Sequence, residues 1–188
     1  MTINNQIIDI NILEKLLNKK LKQIRHDEFT FAPVSYGAVY LDFSDATYQI
    51  TDFYKNITIF DTENEISVLK INHFKGEVKS YLENHKIIST KVNMPIKKII
   101  LVNVIKTITA ITTDSNILLD TIGIIFTFND EYQFAFEKDD FGEDIRIYRG
   151  YNLEEKFKAI PEEFQKSMNE GFYGKCTIEF KTIEKHLK

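Results

Sequence analysis

The sequence predicts an α+β fold: a large antiparallel β-sheet, as a meander or as two packed sheets, with an N-terminal helix and a short helical pair near the C-terminus. Three observations predict it. Apolar and polar residues alternate over most of the chain, one early segment has helical spacing, and capping residues flank a segment near the end. The chain has 188 residues, 43% of them hydrophobic and 28% charged, so we expect a single domain over residues 1–188.

The first predicted element is an amphipathic helix over residues 10–24, "INILEKLLNKKLKQI". Its apolar residues recur at intervals of three and four, as expected for one face of a helix. Asn11 is the predicted N-cap, and Glu14 follows three residues later as in a capping box. The predicted apolar face consists of Ile10, Leu13, Leu16, Leu17, Leu21 and Ile24.

From Glu28 onward the spacing changes to strict alternation, which indicates β-strands separated by polar turns. "GAVYLDF" places Val39, Leu41 and Phe43 on one face of a strand. Further strands are predicted in "TYQITDFY", "NITIF" and "EISVLKI". Residues 76–85, "GEVKSYLENH", are predicted to form a short helix.

The second half of the chain predicts a four-stranded antiparallel meander. Its strands are expected at residues 97–111, 117–128, 132–137 and 144–150, with Gly123 as a bulge or a point of close approach. We expect the core residues of these strands to be mostly buried on one continuous sheet. The predicted core residues are Leu101, Val104, Ile124, Phe126, Phe134 and Phe136.

Residues 152–171 predict the helical pair. Asn152 and Glu155 have the spacing of a capping box, Pro161 suits the first turn of a second helix, and Gly171 suits its C-cap. A final strand is predicted in "CTIEFKTI", where apolar residues alternate again.

Composition and charge exclude several classes of function. The net charge of −4 argues against general nucleic-acid binding. The N-terminus lacks the basic and apolar regions of a secretory signal, and the most apolar run, residues 99–112, is too short to span a bilayer. We therefore expect a cytoplasmic protein without a membrane partner. The bias towards Ile, Lys, Asn and Phe is typical of an AT-rich bacterial genome.

The sequence also lacks the common catalytic and metal-binding motifs. Its single cysteine, Cys176, excludes an internal disulfide and a metal site of several cysteines within one chain. The histidines have no metal-ligand spacing, and neither a dinucleotide-binding fingerprint nor a phosphate-binding loop is present. We accordingly predict no catalytic residues, no metal ligands and no cofactor.

Residues 138–150, "KDDFGEDIRIYRG", are unusual because four carboxylates lie within six residues. The Asp-Phe-Gly triplet matches one kinase motif, but the other kinase motifs are missing. Counted from Asp139 as a calcium loop, the segment lacks the required glycine at the sixth position and glutamate at the twelfth. We interpret it as a β-hairpin loop with an acidic tip, in which Gly142 supplies a positive φ.

Charge distribution suggests a function for this tip. Residues 130–163 carry eleven carboxylates against five basic side chains. Such a surface suits a basic protein partner, so we expect a non-enzymatic interaction module, for example an immunity-type protein that neutralises a basic bacterial toxin. The predicted partner-binding residues are Asp139, Asp140, Glu143, Asp144, Arg146 and Tyr148.

A second hypothesis stays open beside the first. The chain could instead be a small-molecule-binding protein, or an enzyme, whose site is assembled from residues scattered along the sequence. A buried cavity that holds polar groups would favour this hypothesis. A flat or convex acidic patch over a tightly packed core would favour the interaction module.

Overall fold

The structure, a computed structural model, describes residues 2–6, 8–110, 115–139, 143–157 and 176–187. In these residues the chain forms twelve β-strands, one α-helix and one 3₁₀-helix. The strands are β1 Thr2–Asn5, β2 Lys20–Asp27, β3 Phe29–Phe31, β4 Val34–Tyr36, β5 Val39–Asp42, β6 Thr47–Ile59, β7 Thr62–Phe74, β8 Ile87–Ala110, β9 Ser115–Phe128, β10 Gln133–Lys138, β11 Asp144–Gly150 and β12 Cys176–Leu187. The helices are α1, Ile10–Leu16, and the 3₁₀-helix Leu153–Phe157.

The strands form one hydrogen-bonded sheet in the order β3-β4-β11-β10-β9-β8-β2-β5-β6-β7, with β1 paired to β9 and β12 paired to β8. All pairs are antiparallel except β1 with β9, which is parallel. The predicted large antiparallel sheet is confirmed, and so is the meander, because β8, β9, β10 and β11 are consecutive neighbours. The predicted final strand is confirmed as β12.

Strand β8 joins the two halves of the sheet. Its first part pairs with β2, from Ile87 to Pro95, and its second part pairs with β9 from Ile96 onward. Strands β2, β5, β6 and β7 therefore form one wing of the sheet, and β9, β10, β11 and β4 form the other. The main core is built from side chains of both wings.

Each wing supplies alternate side chains to this core, because successive residues of a strand point to opposite faces. Leu41 and Ile50 come from the first wing and Phe126 from the second, and Leu13 of α1 packs into the same cluster. The core prediction is confirmed, since all six of its residues are buried: Leu101, Val104, Ile124, Phe126, Phe134 and Phe136.

The predicted helix over residues 10–24 is correct only in its first half. Helix α1 ends at Leu16, and Lys20–Asp27 is strand β2. Leu21 and Ile24 both reach the core although they are three residues apart in β2, in the region where the register of β2 against β8 is irregular. This spacing imitates that of a helix in the sequence.

The cap of α1 also differs from the prediction. Asp9, not Asn11, is the N-cap, and its carboxylate accepts a hydrogen bond of 2.9 Å from the backbone N–H of Asn11. A carboxylate at this position satisfies an amide that has no partner within the helix.

Two further helical predictions have different outcomes. Residues 76–85 contain only turns and irregular backbone, so the predicted short helix is wrong. The predicted pair over residues 152–171 is not supported: its described part is the single 3₁₀-helix Leu153–Phe157, and the rest lies outside the described residues. Within the described part of the chain, no helix is long and apolar enough to cross a membrane.

The 3₁₀-helix covers the outer face of the meander. Leu153 and Phe157 pack with apolar side chains of β8, β9 and β10 in a second buried cluster. The ring of Phe157 lies so close to Gly123 that a Cβ there would be 2.5 Å from a ring carbon. The register of β9 also shifts beside Gly123, so the predicted bulge and the predicted close approach are both confirmed.

Candidate functional site

The acidic segment joins β10 to β11, which pair in antiparallel register as predicted for a hairpin. Asp139 is largely buried, with 9% of its surface exposed, and its Oδ2 accepts a hydrogen bond of 2.7 Å from Nη2 of Arg146. The backbone N–H of Asp139 donates to the carbonyl of Asp144 across the hairpin at 3.1 Å. Asp140 and Gly142 lie outside the described residues. Asp139 and Arg146 are therefore engaged with each other at the base of the loop.

Asp144 and Tyr148 are also partly enclosed. Oδ1 of Asp144 is buried, and burial together with the nearby Asp139 raises the pKa of this carboxyl above its usual range. The hydroxyl of Tyr148 donates to Glu137 at 2.9 Å, and Nζ of Lys156 lies 5.0 Å from the centre of the Tyr148 ring. Burial, and then Glu137, raise the pKa of Tyr148 to about 12. The partner-binding role of these residues stays a prediction.

Glu143 differs from the other described acids of the segment because it borders a cleft. Its carbonyl accepts a hydrogen bond of 3.0 Å from the backbone N–H of Gly37, which fixes the loop against the start of β5. One oxygen of its side chain, Oε2, lies 3.4 Å from the hydroxyl of Tyr81. The carboxylate is thus available at the cleft edge, with a weak contact to an aromatic neighbour.

The cleft has a volume of about 420 Å³ and lies on the face of β5, β6 and β7 that points away from the core. The strand register orders its floor. Tyr40, Gln49 and Asn72 are cross-strand neighbours in one row, and Thr51 faces Lys70 in the next row. The core receives the alternate residues of these strands, so these five side chains share the outer face.

Two opposite sides of the cleft carry opposite charge. Lys70 stands on β7, where its Nζ lies 5.8 Å from the centre of the Phe53 ring. Glu143 stands on the β5 side, beside Gly37 and Tyr81. Strand β6, with Thr51, runs between β5 and β7. The acidic side at β5 and the basic side at β7 are therefore two strand spacings apart.

Tyr81 is an exposed aromatic residue that is nevertheless fixed in place. The residue is 64% exposed, yet its backbone N–H donates to Oδ2 of Asp27 at 2.7 Å. The ring packs at 5.4 Å from that of Tyr36. It also rests against Gly37, where an added Cβ would lie 3.1 Å from atoms of the ring.

Gly37 is needed at this contact for two reasons. Its backbone φ of +76° lies in a region that residues other than glycine rarely adopt. The ring of Tyr81 also occupies the space that a Cβ would need. The charge of Glu143, together with partial burial and the hydrogen bond to Glu143, raises the pKa of the Tyr81 hydroxyl. Tyr81 therefore remains a neutral hydrogen-bond donor at physiological pH.

Asp27 anchors the Tyr81 segment from below. Its side chain is buried, its Oδ2 accepts from Tyr81, and its Oδ1 is buried without a hydrogen-bond partner in the described residues. The carbonyl of Asp27 accepts from Ser35 at 3.2 Å and lies 2.6 Å from Nδ1 of His26. Burial lowers the pKa of His26, so this ring is neutral and donates from Nδ1.

The described residues contain no group of three or more His, Cys, Asp or Glu side chains arranged to hold a metal ion. The described residues thus form a twelve-stranded, mainly antiparallel sheet. One face of this sheet carries a cleft bordered by the ring of Tyr81 and the carboxylate of Glu143. No protein family model, curated protein or solved structure matches the chain.

Sequence reasoning found one side chain of this site and missed the other. Glu143 is among the predicted partner-binding residues because it belongs to the acidic segment. Tyr81 lies in residues 76–85, for which the prediction of a helix is wrong. The sequence does hold one signal, the glycine of "SYGAV", since a glycine at the start of a strand indicates a special φ or a close approach. That signal identifies Gly37 but not the ring that packs on it.

Proposed function

We propose that this protein is a non-enzymatic interaction module that binds a basic protein partner in the cytoplasm, in an immunity-type role such as the neutralisation of a bacterial toxin. The observation that carries the proposal is the pairing of an exposed, fixed aromatic ring, Tyr81, with the carboxylate of Glu143 at the edge of a cleft. Aromatic side chains and complementary charge are the main features of protein recognition sites.

The fixed position of Tyr81 favours binding. An ordinary exposed tyrosine loses side-chain freedom when a partner covers it, and that loss reduces affinity. The ring of Tyr81 is already restricted by its contacts with Tyr36 and Gly37, and its backbone is held by Asp27. A partner that covers this ring therefore gains apolar contact at a small cost in conformational entropy.

The remaining acidic residues support a role in approach rather than in contact. Asp139 is paired with Arg146, and Asp144 is partly buried, so neither carboxylate is freely available for direct contact with a partner, and we propose that both act through their long-range field. Charges of this kind raise the rate of association with an oppositely charged partner and act over roughly 8–10 Å at physiological salt. We propose that Asp140 and Tyr148 also take part in binding this partner.

The test has two stages. Capture from the native host provides a candidate partner, and association rates are then measured at several salt concentrations. Glu143→Gln is expected to slow association severalfold and to weaken its salt dependence, because it removes one charge from the docking surface. Glu63→Gln is the matched control, since Glu63 is an exposed glutamate on β7. Equal association rates for both variants and the parent would contradict the proposal.

A second candidate function is favoured by the cleft itself. A volume of about 420 Å³ lies within the usual range for small-molecule sites, and Tyr40, Gln49 and Asn72 offer hydrogen-bonding groups on its floor. A screen of small polar ligands by ligand-observed NMR tests this candidate. A compound that binds the parent protein and loses affinity on Gln49→Leu, while no basic protein binds, would favour it over the interaction module.

A further inference from the structure

We propose that the Tyr81–Glu143 end of the cleft receives an arginine side chain of the partner. This inference rests on the proposed function and makes it specific, because it names the group that enters the site. The ring of Tyr81 provides a flat surface, and the carboxylate of Glu143 lies beside its hydroxyl at 3.4 Å. The planar guanidinium of arginine can stack on the ring and pair with the carboxylate at the same time.

The choice of arginine over lysine follows from shape and hydration. A guanidinium group is planar, is weakly hydrated and offers two parallel N–H donors to one carboxylate. The lysine ammonium is a compact, strongly hydrated charge that cannot stack. The Tyr81 side chain is exposed, so a partner can reach its ring, while Gly37 and Tyr36 support it from within the protein.

Lys70 determines which end of the cleft the cation occupies. Its ammonium group stands on β7, near Phe53, and repels a second cation placed above the outer strands of the sheet. Glu143 lies on the opposite side, beyond β6 and next to the start of β5. Two strand spacings amount to roughly 10 Å, so a guanidinium at Glu143 is well separated from Lys70 in a solvated cleft.

The geometry is fixed before any partner arrives. Asp27 holds the backbone of Tyr81, and Gly37 joins the ring to the Glu143 segment through its own N–H. The aromatic surface and the carboxylate are therefore connected through a common set of contacts, although 62 residues separate them in the sequence. Preorganisation of this kind strengthens binding because little order has to be created on association.

The first experiment uses side-chain probes and needs no identified partner. N-acetyl-L-arginine amide, N-acetyl-L-lysine amide and N-acetyl-L-citrulline amide are titrated into the protein, and binding is followed by NMR at the Tyr81 ring. Citrulline has the shape of arginine without its charge. We expect millimolar binding of the arginine probe, at least about threefold weaker binding of lysine, and no saturation by citrulline, since a stacked cation and one exposed ion pair add only modest affinity.

Variants then locate the probe. Tyr81→Ser and Glu143→Gln are each expected to weaken arginine binding about threefold or more, read from backbone amide shifts around the cleft. Tyr151→Ser is the matched control for the ring, because Tyr151 is similarly exposed at 60%. Lys70→Met is expected to strengthen binding about twofold, since it removes the opposing charge. The backbone NMR spectrum of each variant reports whether its fold is retained.

The outcomes separate this inference from the function on which it rests. Equal affinity for arginine and lysine, saturation by citrulline, or unchanged affinity in Tyr81→Ser would overturn the arginine assignment. If Glu143→Gln still slows association with a captured basic partner, the interaction module survives that result. A second readout comes from replacing the partner's arginines by lysine one at a time. One of these substitutions should weaken the complex about as much as Tyr81→Ser does. Combined with Tyr81→Ser, that substitution should cause less than the sum of the two separate losses in affinity.

Discussion

Nζ of Lys138 on β10 lies 2.7 Å from Oδ2 of Asp120 on β9, and the two side chains are only 1% and 2% exposed. The same ammonium group donates to the carbonyl of Ser67 on β7, and Nδ2 of Asn5 on β1 donates to the other oxygen of Asp120 at 3.0 Å. Four strands from both wings of the sheet thus meet at one buried ion pair. Lys106 adds a further positive charge 3.5 Å from Asp120.

Lys138→Met is expected to destabilise the protein by about 3–5 kcal/mol, because it leaves the Asp120 carboxylate buried without its closest charge. Chemical denaturation measures the loss. The double variant Lys138→Met with Asp120→Leu should lose clearly less than the sum of the two single variants, since no unpaired charge remains between those two positions. Strictly additive losses would contradict an energetic coupling of the pair.

Gly123→Ala is expected to destabilise the protein by about 1–3 kcal/mol, because the new Cβ would lie 2.5 Å from a carbon of the Phe157 ring. Phe157→Leu in the same chain should restore part of the loss by vacating that space. Thermal denaturation of the two single variants and the double variant checks this. If the double variant loses the full sum of the two single losses relative to the parent protein, the contact between Gly123 and Phe157 is not responsible.

Phe136→Ala is expected to cost about 3–5 kcal/mol, because Phe136 is fully buried and packs edge-on against Phe126 with ring centres 5.8 Å apart. Phe31→Ala is the matched control, since Phe31 is 63% exposed and should lose less than about 0.5 kcal/mol. Both values come from urea denaturation. Similar losses at the two positions would refute the assignment of Phe136 to the core.

His26 should make stability depend on pH just below its ordinary pKa of 6.5, because burial lowers its pKa in the folded protein. In that range the unfolded chain binds more protons than the folded one, so stability falls as the pH falls. His26→Asn keeps a donor for the carbonyl of Asp27 and should flatten the dependence between about pH 7.5 and 5.5. His186→Asn, at a more exposed histidine, is the control. An unchanged slope in His26→Asn would rule out this source.

Much of the fold could be predicted from the sequence because the strands of the meander bury alternate residues. Phe126 and Phe136, for example, occupy positions that alternation alone assigns to the core. The full length of β8 was not accessible, because "IISTKVNMPI" at its start lacks the alternation of "IILVNV" further along. In β2, Leu21 and Ile24 are both buried although they are three residues apart, and a sequence pattern cannot separate this spacing from that of a helix.

Only one of the two key residues of the candidate site, Glu143, could be predicted from the sequence. Glu143 belongs to a visible run of acids, and charge runs can be read directly from a sequence. Tyr81 is fixed by Asp27, which is 54 residues away, and by Gly37, which packs against its ring. Contacts of this range depend on the tertiary arrangement, and no local pattern encodes them.

The parallel pairing of β1 with β9 restricts the order in which a newly made chain can complete its fold. Asn5 and the Asp120 carboxylate that it contacts are 115 residues apart in the sequence, so the ribosome releases β1 long before its neighbour exists. The hairpin of β6 and β7 pairs residues close in sequence and needs no such delay. During synthesis β1 therefore has to wait unpaired, and its docking is a late event that competes with any other contact the free segment can make.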